Sequence, residues 1–273
     1  RQRQMCIRDR KDGQTYYYKV RAYKTAEDGS MLYGGYSQAL SVKVIAMPVL
    51  RTVAQESASS ARIIWDKIPS AEGYELWRSE DQGKNYTCIK SISTSDTINY
   101  KLTLGAVYLY KVRAYYTTEN GVKMYSSVSK PMTLKVMGLP NVTSVAQNGS
   151  NGVKLVWAQA EYADGYELWR SDSEGSAYTR IKEVTGTSTV NFGLEEGSRY
   201  LYMLRPYSVV NGKKIYGSFG SAMGITILHT PVFSSIQQLG TSSCEIKWEA
   251  VPGATGYKPV SYTHLTLPTN SLV

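Results

Sequence analysis

The heptapeptide GYELWRS occupies residues 73–79 and recurs without a change at residues 165–171. A second motif, YKVRAY, begins at Tyr18 and Tyr110 and returns as YMLRPY at Tyr202. Both motifs therefore repeat at a spacing of 92 residues, which is much longer than the roughly 20–50 residues of a solenoid repeat. Each repeat is long enough to be a whole domain.

The two ends of the chain depart from this repeat. Residues 1–10 and 259–273 resemble translated sequencing-adapter read-through, which occurs at the edges of metagenomic gene fragments. In the repeat register Pro259 stands where Leu168 lies in a complete copy, and a proline within a central strand removes a ladder hydrogen bond. We therefore regard both ends as artefactual and expect them to carry no function.

The rest of the chain has the pattern of strands and turns. From Tyr108 to Ala114 the side chains alternate between two faces, which is typical of a half-buried strand. An Asp-Gly or Asn-Gly pair follows this strand in each copy, at Asp28, Asn120 and Asn211. Such pairs supply the positive φ angles of a tight type I′ turn, so the next strand is predicted to run antiparallel.

Prolines mark the joints between the repeats. Pro48, Pro140 and Pro231 each follow a short apolar stretch, and proline there suits an edge strand or a stiff linker. These joints divide the chain into an N-terminal piece, a first complete module, a second complete module and a C-terminal piece. Their predicted bounds are 11–46, 47–138, 139–230 and 231–258.

Three features together resemble the fibronectin type III module. They are a tryptophan on the second strand, a Gly-Tyr pair that opens the third, and a Leu-x-x-Gly-x-x-Tyr-x-Tyr-x-Val pattern that leads into the sixth. The last pattern begins at Leu102 and, with a final leucine, at Leu194. The resemblance implies an all-β chain of tandem seven-stranded immunoglobulin-like sandwiches, two complete and two truncated. It also implies a structural core that contains Trp65, Trp157, Trp248, Tyr108, Tyr200, Leu102 and Leu194.

Within this resemblance Tyr108 and Tyr200 are the tyrosine corners, whose hydroxyls bond to the backbone a few residues upstream. Pro206 departs from the repeat, because it replaces Ala114 at the end of the sixth strand. This variant of the module resembles those of large surface or secreted proteins of Gram-positive gut bacteria. The resemblance therefore implies an extracellular, secreted or cell-wall-associated protein.

The charge is mildly basic. The chain has 31 Lys+Arg and 22 Asp+Glu, a net charge of +9, part of which lies in the excluded N-terminal residues. A weakly basic surface favours anionic polymers such as teichoic acid or acidic glycans. No run of lysine and arginine concentrates this charge, so we expect no nucleic-acid binding. No stretch approaches the roughly 18 apolar residues of a membrane span, so we expect no membrane contact within this fragment.

The sequence offers no catalytic motif. Once the ends are left out, His229 is the single histidine, and its place beside a module joint indicates a solvated linker residue. Cys88 and Cys244 lie in different modules and cannot form a disulfide framework. Nucleophile elbows, zinc motifs and phosphate loops do not occur. We therefore expect no enzyme activity, no metal and no cofactor.

One outward-facing set of side chains is a candidate ligand face. Alternation places Trp77 on the third strand beside Arg113 and Tyr115 on the sixth. The next copy repeats the set as Trp169, Arg205 and Tyr207. These residues could form a glycan-stacking surface, or a cation–π ladder that covers the sheet. Repetition in each module favours the ladder, because a ligand site tends to be particular to one module.

Three functions remain open. The leading hypothesis is a non-catalytic spacer that presents other domains at a bacterial surface or in a secreted protein. The second is an adhesin or carbohydrate-binding module, with cell-wall glycans, host glycans or surface proteins as partners. The third is an accessory region of a secreted glycan- or peptidoglycan-degrading enzyme. Copied surfaces and short linkers favour the spacer, and we expect a monomer.

Overall fold

The computed structural model describes residues 10–174 and 176–261. Every regular element within these ranges is a β-strand, and the paired strands run antiparallel. No helix in this part of the chain is long and apolar enough to cross a membrane. The predicted all-β class is confirmed.

The N-terminal piece forms two small sheets. Its strands are β1 (Thr15–Tyr18), β2 (Arg21–Thr25), β3 (Met31–Tyr36) and β4 (Leu40–Lys43). β1 pairs with β4 and β2 pairs with β3. Every side chain of β2 and β3 is exposed. In the repeat register β1 and β2 correspond to the two ends of the long sixth strand of a complete module, and β3 and β4 correspond to the two halves of its last strand.

The first complete module is a sandwich of two sheets. Its strands are β5 (Leu50–Ser57), β6 (Ser60–Trp65), β7 (Gly73–Ser79), β8 (Thr87–Ile92), β9 (Asp96–Asn99), β10 (Val107–Thr117), β11 (Lys123–Tyr125) and β12 (Met132–Lys135). One sheet has the order β5-β6-β9. The other has the order β8-β7-β10, and β11 and β12 both pair with the free edge of β10. β11 and β12 are thus two halves of one final strand, which gives seven strands.

The second complete module repeats this topology. Its strands are β13 (Asn141–Gln147), β14 (Val153–Ala158), β15 (Gly165–Ser171), β16 (Thr179–Val184), β17 (Ser188–Asn191), β18 (Arg199–Val210), β19 (Lys213–Tyr216) and β20 (Met223–Thr226). Its sheets have the orders β13-β14-β17 and β16-β15-β18, with β19 and β20 on the outer edge of β18. Three strands packed on four is the arrangement of an immunoglobulin-like sandwich.

The core of each complete module lies between its two sheets and centres on a tryptophan. Trp65 and Trp157 are each 2% exposed, and each ring centroid lies 5.5 Å from that of a tyrosine on the facing sheet, Tyr74 or Tyr166. The predicted leucine and tyrosine positions are also buried in these clusters: Leu102, Tyr108, Leu194 and Tyr200. Large aromatic side chains thus supply much of the buried area in two small cores.

The tyrosine hydroxyl at the start of the sixth strand accepts a hydrogen bond from the equivalent backbone N–H in three copies. Tyr108 Oη accepts a hydrogen bond from Thr103 N at 3.0 Å, and Tyr200 Oη accepts one from Glu195 N at 3.0 Å. In the N-terminal piece Lys11 N donates to the equivalent Tyr16 at 3.1 Å. This geometry is that of a tyrosine corner.

The C-terminal piece contains one hairpin, β21 (Phe233–Gln238) with β22 (Cys244–Trp248). Trp248 differs from the other predicted core tryptophans, because it is only half-buried and lines an open apolar cleft of about 310 Å³. Its ring still lies 5.3 Å from Tyr257, but the described residues of this piece supply no facing sheet. The expectation of a core position does not hold for Trp248 in this chain.

The predicted type I′ turn occurs in only one copy. Asn211 and Gly212 both have positive φ, at 49° and 75°, as that turn requires. Of the Asn120–Gly121 pair only Gly121 has positive φ, and its N–H donates to Thr118 O at 2.8 Å. Gly29 also has positive φ, and its N–H donates to Ala26 O at 3.0 Å. These two loops combine an ordinary turn with a left-handed glycine, which is the other common hairpin connection.

Pro206 fits within its long strand because the neighbouring strand has changed with it. In the first complete module Ala114 N donates to the hydroxyl of Ser126 at 3.0 Å, where the final strand is interrupted. In the second complete module Pro206 has no N–H to donate, and Gly217 stands in place of that serine. The departure noted in the sequence therefore leaves no unpaired donor at this position.

Candidate functional site

The candidate ligand face of the first complete module lies on β7 and β10. Arg113 is directly opposite Glu75 in the register, and Lys111 is opposite Trp77. Because side chains alternate along a strand, these four residues share the outward face of the sheet. The pairing therefore brings the residues predicted from sequence together.

Arg113 occupies the centre of this face. Its guanidinium carbon lies 5.0 Å from the Trp77 ring centroid and 3.7 Å from the Tyr125 ring centroid. Its Nη2 lies 2.7 Å from Oε2 of Glu75. The arginine is thus placed against two aromatic rings and a carboxylate, an arrangement in which its charge is already compensated.

Glu75 is 8% exposed although it lies on the outward face. It accepts hydrogen bonds from Arg113 Nε at 2.9 Å and from the Tyr125 hydroxyl at 3.0 Å. Burial by itself raises the pKa of Glu75, but the hydrogen bonds from Arg113 and Tyr125 outweigh it and hold that pKa below its usual value. Glu75 therefore stays ionised as part of a closed network.

Tyr115 lies across the backbone of the strand beside it. A Cβ on Gly73 would come within 2.6 Å of the Tyr115 hydroxyl oxygen, so only glycine leaves room for this ring. The ring is also 6.1 Å from Tyr125, and Lys123 Nζ lies 4.0 Å from its centroid. The Gly-Tyr pair that opens β7 is thus explained by a tyrosine on the neighbouring strand.

The face of the second complete module uses the same frame with different partners. Arg205 lies 4.7 Å from the Tyr216 ring and 5.3 Å from the Phe219 ring, and its Nε donates to Gly217 O at 3.2 Å. Trp169 meets Phe219 edge to face at 5.5 Å. The Tyr207 ring lies against Gly165 as Tyr115 lies against Gly73.

The glutamate of this second face is held by another arginine. Arg180 Nη1 lies 2.9 Å from Glu167 Oε1, and Trp169 Nε1 donates to Glu167 Oε2 at 3.2 Å. The position of Arg180 is occupied by Cys88 in the first complete module, in the register opposite Trp77 or Trp169. Where this second arginine is missing, Arg113 forms the ion pair instead.

Neither tryptophan forms a fully exposed flat platform. Trp77 and Trp169 are half-buried, and an arginine or a phenylalanine lies against each ring. Trp77 Nε1 is buried and has no hydrogen-bond partner among the described residues. The arrangement can cover the sheet and stabilise it, and it leaves only part of each aromatic surface open to a ligand.

The N-terminal piece carries the same contacts. Arg21, which is equivalent to Arg113, lies 3.7 Å from the Tyr33 ring and 4.9 Å from the Tyr36 ring. The ring centroids of Tyr23 and Tyr33 lie 6.2 Å apart, close to the 6.1 Å between Tyr115 and Tyr125 in the first complete module. The arginine–tyrosine ladder thus recurs in three copies.

Sequence reasoning identified the tryptophan, arginine and tyrosine of each face but did not assign the residues that complete it. Tyr125 and Tyr216 recur in the repeat alignment, which was the available signal. Phe219 and Arg180 have no equivalent of the same type, because Val128 and Cys88 stand in their places in the first complete module. Such single-copy residues carry no repeat signal.

No group of three or more histidine, cysteine, aspartate or glutamate side chains in the described part of the chain is placed to hold a metal ion. The imidazole Nδ1 of His229 lies 3.4 Å from Glu196 Oε2, and Glu196 also accepts a hydrogen bond from the Thr230 hydroxyl at 2.7 Å. These contacts tie the module joint to a neighbouring turn. His229 therefore lies at the module joint and contacts Glu196.

No protein-family model matches the chain. Among curated proteins, an amylopullulanase from Thermoanaerobacterium saccharolyticum is 34% identical over 88 residues, which is 31% of this chain and 6% of that protein. The matched region is therefore a small part of that relative's length.

Two solved structures are similar at low sequence identity. The FN1–FN3 domains of chicken CNTN1 align with a TM-score of 0.35 and 16% identity over 76% of each chain. A segment of two fibronectin type III domains from chicken tenascin aligns with a TM-score of 0.31 and 18% identity, over 65% of this chain and 97% of that one.

The fold assignment rests on the chain's own strand order and register. Both complete modules have three strands packed on four, a central tryptophan and a tyrosine corner. The chain is a tandem array that contains two complete immunoglobulin-like β-sandwiches, with a partial one on either side.

Proposed function

We propose that this chain is a non-catalytic spacer that holds other domains away from a bacterial surface or within a secreted protein. The observation that carries the proposal is the recurring ladder, in which the polar groups of the outward face bond to one another. Glu75 bonds to Arg113 in one module, and Glu167 bonds to Arg180 in the next. Self-paired faces copied along an array suit a stiff scaffold better than a ligand site.

The proposed modules are the four pieces predicted above. Residues 249–261 contain no strand, yet Val251 N donates to the Tyr257 hydroxyl at 2.6 Å. The same bond joins Ile68 N to Tyr74 at 2.7 Å in the first complete module. The repeat is therefore detectable as far as Tyr257, which supports a boundary near 258.

We further propose that residues 1–10 and 259–273 are read-through sequence and carry no function. Residues 1–9 and 262–273 lie outside the described part of the chain. We also propose a Gram-positive origin, an extracellular or cell-wall location and a monomeric state. The amylopullulanase match is compatible with a bacterial protein, but it covers 88 residues only.

Glycan binding is the second candidate, with cell-wall or host glycans or surface proteins as partners. It is favoured by the aromatic pair in the second complete module, where Phe219 is 39% exposed beside Trp169. An accessory region of a secreted glycan- or peptidoglycan-degrading enzyme is the third, and the match to an amylopullulanase supports it.

A binding assay separates the spacer from the glycan-binding module. The full chain and a Trp77→Ala/Trp169→Ala variant are tested against a panel of glycans and purified Gram-positive cell wall. The spacer predicts that neither protein binds specifically. Specific binding by the parent chain that disappears in a still-folded variant would replace the spacer with the glycan-binding function.

A further inference from the structure

We infer that the two complete modules are held at a fixed angle by a joint that contains Tyr162 and Ser218. The joint has two separate contacts in addition to the covalent connection between the modules. The inference deepens the proposed spacer function and rests on it for its biological use. The geometry of the joint is tested independently of any binding assay.

The first contact places Tyr162 of the second module on Gly105 of the first. A Cβ on Gly105 would lie 2.7 Å from Cζ of the Tyr162 ring, so the ring lies directly against the glycine backbone. Lys135 Nζ donates to Gly105 O at 2.6 Å and lies 5.3 Å from the centre of the same ring. The ring therefore packs between a glycine and a lysine of the preceding module.

The backbone of Tyr162 is strained to make this contact. Its φ angle is +61°, in the left-handed region that residues other than glycine rarely adopt. The equivalent position in the C-terminal piece is Gly253, with φ +81°, which shows the residue that this backbone prefers. A strained conformation persists where the surrounding structure holds it in place. The tyrosine ring is thus retained at a position that favours glycine.

The connection between the modules is also fixed at this point. Gly138 N donates to Glu161 O at 2.9 Å, in the loop that carries Tyr162. A Cβ on Gly138 would lie 2.7 Å from Glu161 N, so the two backbones meet closely. The connector and the Tyr162 loop are therefore one packed unit.

The second contact involves a different loop of the second module. Ser218 Oγ donates to Gln55 O at 2.6 Å. A Cβ on Gly217 would lie 3.3 Å from Met137 Cε and 3.4 Å from Gln55 Oε1, so this loop packs on both residues. Gln55 is 5% exposed, and its side-chain amide makes two hydrogen bonds to the backbone of Met137. Its Nε2 donates to Met137 O at 2.7 Å, and its Oε1 accepts from Met137 N at 3.0 Å. Two separate contacts and a packed connector restrain bending and rotation together.

The joint before the first complete module is built differently. Ser70 occupies the position of Tyr162, and its hydroxyl donates to Asp12 at 2.5 Å. There, Lys43 N donates to the Tyr116 hydroxyl at 3.1 Å. The tyrosine–glycine contact is therefore particular to the joint between the two complete modules.

The test measures the distance between the two modules in the full chain by double electron–electron resonance. Cys88 is exposed in the first complete module and takes one spin label. Ala177→Cys, at an exposed position in the second, takes the other. Cys6 and Cys244 are replaced by serine so that only these two sites are labelled.

The parent chain is expected to give a narrow distance distribution. Tyr162→Gly combined with Ser218→Ala removes the ring contact and the Ser218 hydrogen bond, and it is expected to broaden the distribution with unchanged circular dichroism. The control substitutions are Tyr100→Ala and Ser127→Ala. Tyr100 is about as exposed as Tyr162, and Ser127 is the residue of the first complete module that corresponds to Ser218, but neither lies in this joint. Both changes are expected to leave the distribution narrow. Ser218→Ala alone serves as a milder variant if the double change alters folding.

A parent distribution as broad as that of a variant with a flexible Gly-Ser insertion after Gly138 would overturn the inference. So would a double variant as narrow as the parent, or broadening by the two control substitutions. Each of these outcomes concerns the joint alone. The binding assay decides the proposed function separately, so failure of one is distinguishable from failure of the other.

Discussion

The glycine that opens the third strand of each sandwich is explained by a single ring from the neighbouring strand. Tyr115 lies against Gly73, and Tyr207 lies against Gly165. Glycine is normally unfavourable within a strand, and an aromatic ring on the adjacent strand can compensate for it. The invariant start of the GYELWRS heptapeptide therefore reflects packing on the outward face.

Gly73→Ala is expected to destabilise the first complete module by about 1–3 kcal/mol, the usual cost of adding a methyl group to a filled site. The added carbon would meet the Tyr115 ring at 2.6–2.9 Å. Denaturant unfolding of the full chain measures the loss. Gly186→Ala is the control, because nothing lies within 4 Å of a Cβ at that position. Equal effects of the two changes would refute this explanation of Gly73.

The three tryptophans that recur in the repeat are expected to differ in their contribution to stability. Trp65→Ala should lower the free energy of unfolding of its module by about 3–5 kcal/mol, because the side chain is fully buried between two sheets. A domain of this size holds only about 5–15 kcal/mol in total. Trp248→Ala should cost much less, because Trp248 is half-buried. Module-resolved hydrogen exchange measures both, and an equal loss of protection would contradict the open structure of the C-terminal piece.

At the scale of the strand, the interrupted last strand is completed by serine side chains. β11 and β12 leave a gap between them, and two hydroxyls accept backbone N–H groups of β10 there. Ser129 Oγ accepts from Val112 N, and Ser126 Oγ accepts from Ala114 N, both at 3.0 Å. The long central strand thus keeps its hydrogen bonds where the neighbouring backbone has moved away.

Ser129→Ala is expected to destabilise the first complete module by about 1–3 kcal/mol, because it leaves the buried N–H of Val112 without its side-chain acceptor. Ser127→Ala is the matched control, since Ser127 is exposed and lies two residues away. Urea unfolding of the full chain compares the two variants. A loss no larger than that of the control would show that the hydroxyl does not complete the strand.

The loop between β7 and β8 is expected to make the first complete module sensitive to acid. Hydrogen bonds from the Asn85 backbone, the Ser79 hydroxyl and the Asn85 side chain lower the pKa of Asp81 from 3.8 to about 2. A carboxylate with a lowered pKa stabilises the folded state above its unfolded pKa. This contribution is lost as the pH falls from 3.8 towards 2. The equivalent residue in the second complete module is Ser173, which does not titrate.

Asp81→Asn should therefore weaken the first complete module at pH 7 and have little effect at pH 2. Hydrogen exchange of peptides from residues 73–92 measures this loss at both pH values. The same residues of the second module, 165–184, serve as the internal reference. An equal loss at both pH values would show that the charge of Asp81 does not stabilise the loop.

At the scale of the whole molecule, the repeat made most of the fold predictable. Trp65 and Tyr108 recur 92 positions later as Trp157 and Tyr200. All four lie on strands, whose side chains alternate between two faces, and are buried in the cores of the complete modules. The Tyr162–Gly105 contact was not predictable, because it joins two modules and occurs once. The burial of Trp248 was overestimated, since burial depends on a facing sheet as well as on the pattern of one strand.

The candidate faces were predictable only in part for the same reason. Alternation places Trp77 and Arg113 on one surface, but the partner of each glutamate depends on a single-copy residue. Arg180 forms an ion pair with Glu167 in the second complete module. Cys88 stands in its place in the first complete module, where Glu75 pairs with Arg113 instead. The repeat in the sequence therefore does not show which charged side chains form ion pairs, because the pairing depends on contacts in the folded structure.

The central claim is that this chain is an array in which each complete module closes as a sandwich of its own. Hydrogen exchange of the full chain, followed by mass spectrometry, tests it most directly. The two complete modules, 47–138 and 139–230, are expected to exchange slowly, because their strands lie around buried cores. Residues 11–46 and 231–258 are expected to exchange fast, because their sheet faces and edges are open. Equal protection of all four pieces would contradict the account.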